Sequence, residues 1–118
     1  MIAINPQEII DSMNKCLRAM QQGNVQYKTL GLKKMKAEHN YRIALQKEIA
    51  RLKIEGTKVT LIPDLARGNE EVARLRLERD TADVSYETCR NSLRYYEKEL
   101  ETLRSQLAWL KSELNKTF

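Results

Sequence analysis

Two prolines and four glycines are all that 118 residues contain to interrupt regular structure. So few breakers exclude a chain of many short elements, because each turn normally draws on one of these residues. Aromatics are scarce as well, with one Trp, one Phe and five Tyr, so Leu supplies most of the apolar bulk. That balance suits a long helix interface better than a broad globular core and implies an elongated form. No run approaches the roughly 18 apolar residues needed to cross a bilayer, so no membrane partner is expected. The opening residues Met1-Ile2-Ala3-Ile4-Asn5-Pro6 lack a basic segment followed by an apolar one, so no secretory signal is expected. Cys16 and Cys89 are isolated thiols without CxxC spacing. They fit a reducing compartment, and neither a disulfide framework nor a zinc site. Cytoplasmic residence is the expectation.

Chemistry-bearing patterns are missing too. The chain has no phosphate-binding glycine loop, no HExxH and no GxSxG. His39 is the sole histidine, set between Glu38 and Asn40, and no histidine neighbours either cysteine. Glu97, Glu99 and Glu101 alternate around a helix and do not converge. The expectation is a protein that is not an enzyme, with no catalytic residue, no metal ligand and no cofactor.

What is present is periodicity. From Val72 onward apolar residues recur in alternating steps of three and four. The a positions are Val72, Arg79, Tyr86, Leu93, Leu100, Leu107 and Leu114; the d positions are Leu75, Ala82, Cys89, Tyr96, Leu103, Leu110 and Thr117. Only Arg79 and Thr117 are polar. A period of about 3.5 sustained without Gly or Pro is the sequence condition for a coiled-coil seam. It predicts a helix over about residues 70–116, roughly 70 Å long at 1.5 Å per residue. Its seam residues Leu93, Tyr96, Leu100, Leu103, Leu107 and Leu110 are the candidate oligomer contacts.

The first half reads as helical over about residues 6–55. Asn5 supplies an N-cap, Pro6 suits the first helical position, and Gly56 suits the residue after the last. One apolar stripe runs Ile10, Met13, Leu17, Met20, Asn24, Tyr27 and another Tyr41, Leu45, Ile49, Leu52. Between them strict heptads would seat Gly31, Lys34 and Glu38, so the stripe is expected to shift phase, with Leu30 and Met35 carrying it across. A bend or loosely packed segment is expected near residues 23–36, since Gly23 and Gly31 each cost about 1 kcal/mol against Ala. Residues 56–69 are read as a loop. Its Val59-Thr60-Leu61-Ile62 favours an extended conformation ahead of Pro63, and Asp64 or Asn69 can cap the next helix.

The fold class expected is all-α: one domain over residues 1–118, an antiparallel helical hairpin associating into a helical bundle. Folding about residue 62 would bring Cys16 near position 108 and Cys89 near position 35. Two helices bury little by themselves, so the chain itself, as a homodimer or higher oligomer, is the first expected partner.

Residues 1–55 hold ten Lys/Arg against five Asp/Glu, which carries the whole net charge of +5. Lys28, Lys33, Lys34, Lys36, Arg42 and Lys47 are candidate phosphate contacts for DNA or RNA, and the alternative is an ordinary solvated face. Trp109 falls at an outer c position, where burial by a partner is one explanation for a large aromatic. With Leu61 and Ile62 of the loop it forms the candidate surface for an unidentified protein partner.

The runs Val59-Thr60-Leu61-Ile62-Pro63-Asp64-Leu65-Ala66-Arg67-Gly68, Leu75-Arg76-Leu77-Glu78-Arg79-Asp80 and Leu103-Arg104-Ser105-Gln106-Leu107 resemble small coiled-coil proteins of bacteriophages and prophages of Gram-positive bacteria. The resemblance implies a setting among early genes for phage DNA replication and recombination, in the host cytoplasm. It carries over no activity and no functional residue.

Overall fold

Asn5 begins the folded chain as a helix cap: its Oδ1 accepts the backbone N–H of Gln7 at 2.9 Å, satisfying a donor that the first helical turn leaves unpaired. The computed structural model describes residues 5–117, without the side chain of Thr117. The signal-peptide reading of Met1–Ile4 and the seam position of Thr117 therefore lie outside the described residues.

Helix α1 spans Pro6–Ile54. Gly56, at a φ of 79° that only glycine adopts without strain, ends it in a Schellman motif. There the Gly56 and Thr57 N–H groups donate to the carbonyls of Lys53 and Leu52, each at 3.1 Å. A 3₁₀ turn over Val59–Leu61 and the short helix α2, Ile62–Gly68, follow. Asn69 then caps helix α3, Glu70–Thr117, its Oδ1 accepting from Glu71 at 3.0 Å and Val72 at 3.1 Å. Glu70 and Glu71 place negative charge in the first turn of α3, where the helix dipole favours it. Among the described residues there is no strand.

Two compact units divide the chain. Unit 2, residues 28–87, holds the second half of α1, the turn, α2 and the start of α3. Unit 1 holds residues 1–27 and 88–118. In each, α1 runs antiparallel to α3. In unit 2 Gly31 lies against Tyr86 and Lys34 against Asp83. In unit 1 Cys16 meets Tyr96 and Gly23 meets Leu93. The fold is an antiparallel coiled-coil hairpin.

The α3 seam is the one the heptads mark: from Val72 to Leu110 every a and d residue is buried or half-buried, and Leu114 is exposed. On α1 the seam differs from the expectation. Its inward line is Ile9, Met13, Cys16, Met20, Gly23, Tyr27, Leu30, Lys34, Ala37, Tyr41 and Ala44, in unbroken steps of three and four. Ile10, Leu17, Asn24 and Met35 are exposed. No phase shift occurs, and α1 is continuous through residues 23–36. The expected loose segment is tight at Gly23, where a Cβ would stand 2.7 Å from Leu93 Cδ2.

The two glycines thus make opposite predictions. A Cβ at Gly31 would sit 3.4 Å from Tyr86, an ordinary contact, so Gly31→Ala should gain about 1 kcal/mol from helix propensity. Gly23→Ala must displace Leu93 and should lower stability despite the same gain. Urea denaturation followed by circular dichroism should move the two midpoints in opposite directions.

The turn corrects a second expectation. Val59–Ile62 is helical, not extended: Ile62 has φ −56° and ψ −49°, although a following proline disfavours that region. Burial outweighs the local preference. Ile62 packs with Leu52 and Ala66, and Leu45 and Ile49 cover the cluster. Burying a side chain of this size is worth about 1.5–3 kcal/mol. Because α2 folds back onto this core, the two long helices reverse direction ahead of residue 62. Cys16 consequently lies beside Tyr96 instead of position 108, and Cys89 beside Gly23 instead of position 35.

Candidate functional site

The polar residues seated in the seam of unit 2 form a reciprocal layer. Lys34 of α1 pairs with Asp83 at 2.9 Å and lies over the Tyr86 ring, 4.6 Å from its centroid. Arg79 of α3 lies over the Tyr41 ring at 4.4 Å and faces Asp80 at 3.0 Å and Glu38 at 3.7 Å. Each cation is held by an aromatic ring of the opposite helix and by carboxylates. The Asp83 bond raises the pKa of Lys34. For Arg79 burial acts downward, but Asp80 and Glu38 outweigh it and the net shift is upward. Both stay charged, so the layer accepts one register and penalises a slipped one, where a half-buried charge would lose its partners.

The two thiols are buried and free. Cys16 donates to the Tyr96 carbonyl at 3.0 Å, and Cys89 to that of Gly23 at 3.5 Å. Burial, and then the charge of Glu99, push the Cys16 thiol above its ordinary value, which disfavours the nucleophilic thiolate. Among the described residues no group of three His, Cys, Asp or Glu side chains is arranged to hold a metal ion.

The six candidate phosphate contacts do not share one face. Lys34 is tied to Asp83 and Arg42 to Glu38. By heptad position Lys33, Lys36 and Lys47 lie on one flank of α1, while Lys28 and Arg42 lie on the other. Of these, Lys47 lines a groove of about 650 Å³ floored by Ala44, Val72 and Leu75. Arg51 and Arg74 at its rim are each engaged by two glutamates of their own helix.

Of the candidate partner contacts, Trp109 is 65% and Leu61 51% exposed, whereas Ile62 is 3% exposed. Ile62 is therefore core and not a docking residue, because α2 turns it onto Leu52. Its place at the surface is taken by Leu65 on the outward side of α2, with Ile54 at the end of α1 and Val59 in the 3₁₀ turn, all exposed. The candidate oligomer residues Leu93, Tyr96, Leu100, Leu103, Leu107 and Leu110 face α1 of the same chain and are buried or half-buried there.

Fold and surface together define the class: an antiparallel coiled-coil hairpin with a polar register layer and apolar residues on its outer faces. No protein-family model matches the chain, and neither curated proteins nor solved structures show a significant match. No helix among the described residues is long and apolar enough to cross a membrane.

Proposed function

We propose that this chain is a non-enzymatic interaction protein that works as a homo-oligomer and presents its outer faces to a protein partner. The observation that carries the reading is the set of large apolar side chains outside the seam. Trp109, Tyr95, Leu77, Val84, Ile54, Val59, Leu61 and Leu65 are all at least half exposed. A hairpin whose seam already consumes its inward residues has no intramolecular use for them, and large aromatic side chains on an outer face are the kind that anchor a partner. The resemblance to small phage coiled-coil proteins supports a partner among replication, recombination or host proteins, in the host cytoplasm.

Sedimentation equilibrium of the purified chain tests self-association. A mass that is a multiple of 13.8 kDa supports it; a monomer at all concentrations removes it. A second reading, nucleic-acid binding, is favoured by Lys33, Lys36 and Lys47, which share a flank and form no ion pair among the described residues. Fluorescence anisotropy of labelled single- and double-stranded oligonucleotides at low and high salt decides it. Phosphate contacts require binding that weakens steeply with salt, and charge reversal at Lys33, Lys36 and Lys47 should abolish it.

A further inference from the structure

Helix α3 carries a second line of residues at the same alternating spacing as its a/d seam. Between Thr88 and Trp109 its c and g positions hold Thr88, Ser92, Tyr95, Thr102, Gln106 and Trp109, all exposed and interrupted by Glu99 alone, with the charged Glu113 and Lys116 following. From Ser12 to Gln26 the corresponding flank of α1 adds Ser12, Ala19, Gln22 and Gln26, interrupted by Lys15 alone, with Glu8 before it. In a chain with 31% charged residues, the twelve c and g positions of this central stretch hold one charge of each sign, and Glu8, Glu113 and Lys116 lie beyond its ends. Two aromatic anchors among small uncharged residues, with charge depleted, is the composition of a packed interface centre. Beside Trp109 an apolar groove of about 290 Å³ opens between Ile9, Thr102, Gln106 and Leu110.

We propose that this c/g flank of unit 1 is where a second copy of the chain docks to form a four-helix bundle, with Tyr95 and Trp109 as its anchors. The proposal rests on the homo-oligomer reading above and names its surface. Two observations favour a second copy as the occupant. The first is area. The chain exposes 9231 Å², whereas a globular monomer of 13.8 kDa exposes roughly 6,600 Å². The excess, roughly 2,600 Å², comfortably exceeds the ~800 Å² per partner that a specific dimer buries.

The second is charge. Lys15 adjoins Cys16, which meets Tyr96, so Lys15 and Glu99 stand at about the same level of the hairpin. A two-fold axis parallel to the helices lays α1 of one copy over α3 of the other. Lys15 then faces Glu99 of the second copy, and the pairing occurs twice, as an isologous interface requires. Within the chain neither side chain forms an ion pair among the described residues.

The test is a sedimentation series on the full chain with Trp109→Glu, Lys15→Glu, Glu99→Lys and the double variant Lys15→Glu/Glu99→Lys. All four change exposed positions, and unchanged helicity by circular dichroism verifies folding. The expected result is a dimer whose Kd rises on the order of tenfold or more in each single variant and recovers in the double variant. If the parent dimerises and none of the single variants weakens it, this face is wrong while self-association stands. If the parent is monomeric, both fall.

Discussion

Leu100→Asp should unfold unit 1. Leu100 is 6% exposed at the centre of the α3 seam, where the substitution both removes apolar burial and strands a carboxylate. Removing a buried Leu side chain costs about 2–5 kcal/mol by itself, and an unpaired charge in its place adds to that. Small domains have about 5–15 kcal/mol in total, so most of the stability should go. Leu114→Asp is the matched control: it belongs to the same heptad series but is 46% exposed, and it should lose less than about 1 kcal/mol. Urea titrations monitored by circular dichroism should separate the two widely. Equal midpoints would mean that the seam does not run where the structure puts it.

Ile62→Ala should cost about 3 kcal/mol, a typical value for truncating a fully buried Ile, whereas Leu61→Ala one residue earlier should cost less than about 1 kcal/mol. The contrast follows from the helical turn. Ile62 fills the space between Leu52 and Ala66, while Leu61 points outward. Were the segment an extended strand exposed on both faces, both residues could be lost with little effect on stability. Thermal melts of the two variants, read alongside the parent, distinguish these outcomes.

The all-helical hairpin was legible because α3 repeats apolar residues at nearly every a and d position and its breakers are absent. The α1 seam was misread by one residue, for a physical reason. Hydropathy marks large side chains, and Ile10 and Leu17 outweigh Cys16, Gly23, Ala37 and Ala44. Yet small residues belong in the seam, because the α3 side presents bulky ones: Leu93 fills the space over Gly23. In the last turns of α1 the flanking residues Leu45, Ile49 and Leu52 become buried because α2 covers them. That covering was invisible while residues 59–62 were read by local preference alone, since tertiary burial overrode both β propensity and the effect of Pro63. Trp109 as an outward residue was legible from its c position, and Arg79 as a polar seam residue from its a position. The stretch of c and g positions from Thr88 to Trp109, charged only at Glu99, was also present in the sequence. It was overlooked because its Thr, Ser and Gln residues carry no hydropathy signal, and their common face stands out only once the a/d seam is assigned to the chain's own α1.

The register of the hairpin is the claim on which every surface assignment depends, and zero-length carbodiimide cross-linking measures it directly. Lys34 Nζ lies 2.9 Å from Asp83 Oδ1, so peptide mapping should recover an isopeptide bond between these two residues. Mixing isotopically light and heavy chains before the reaction should leave that product unmixed, because the bond forms within one chain. A Lys34 cross-link displaced toward later acidic residues of α3, such as Glu97 or Glu101, would contradict the register. A mixed light–heavy product would contradict the intramolecular hairpin.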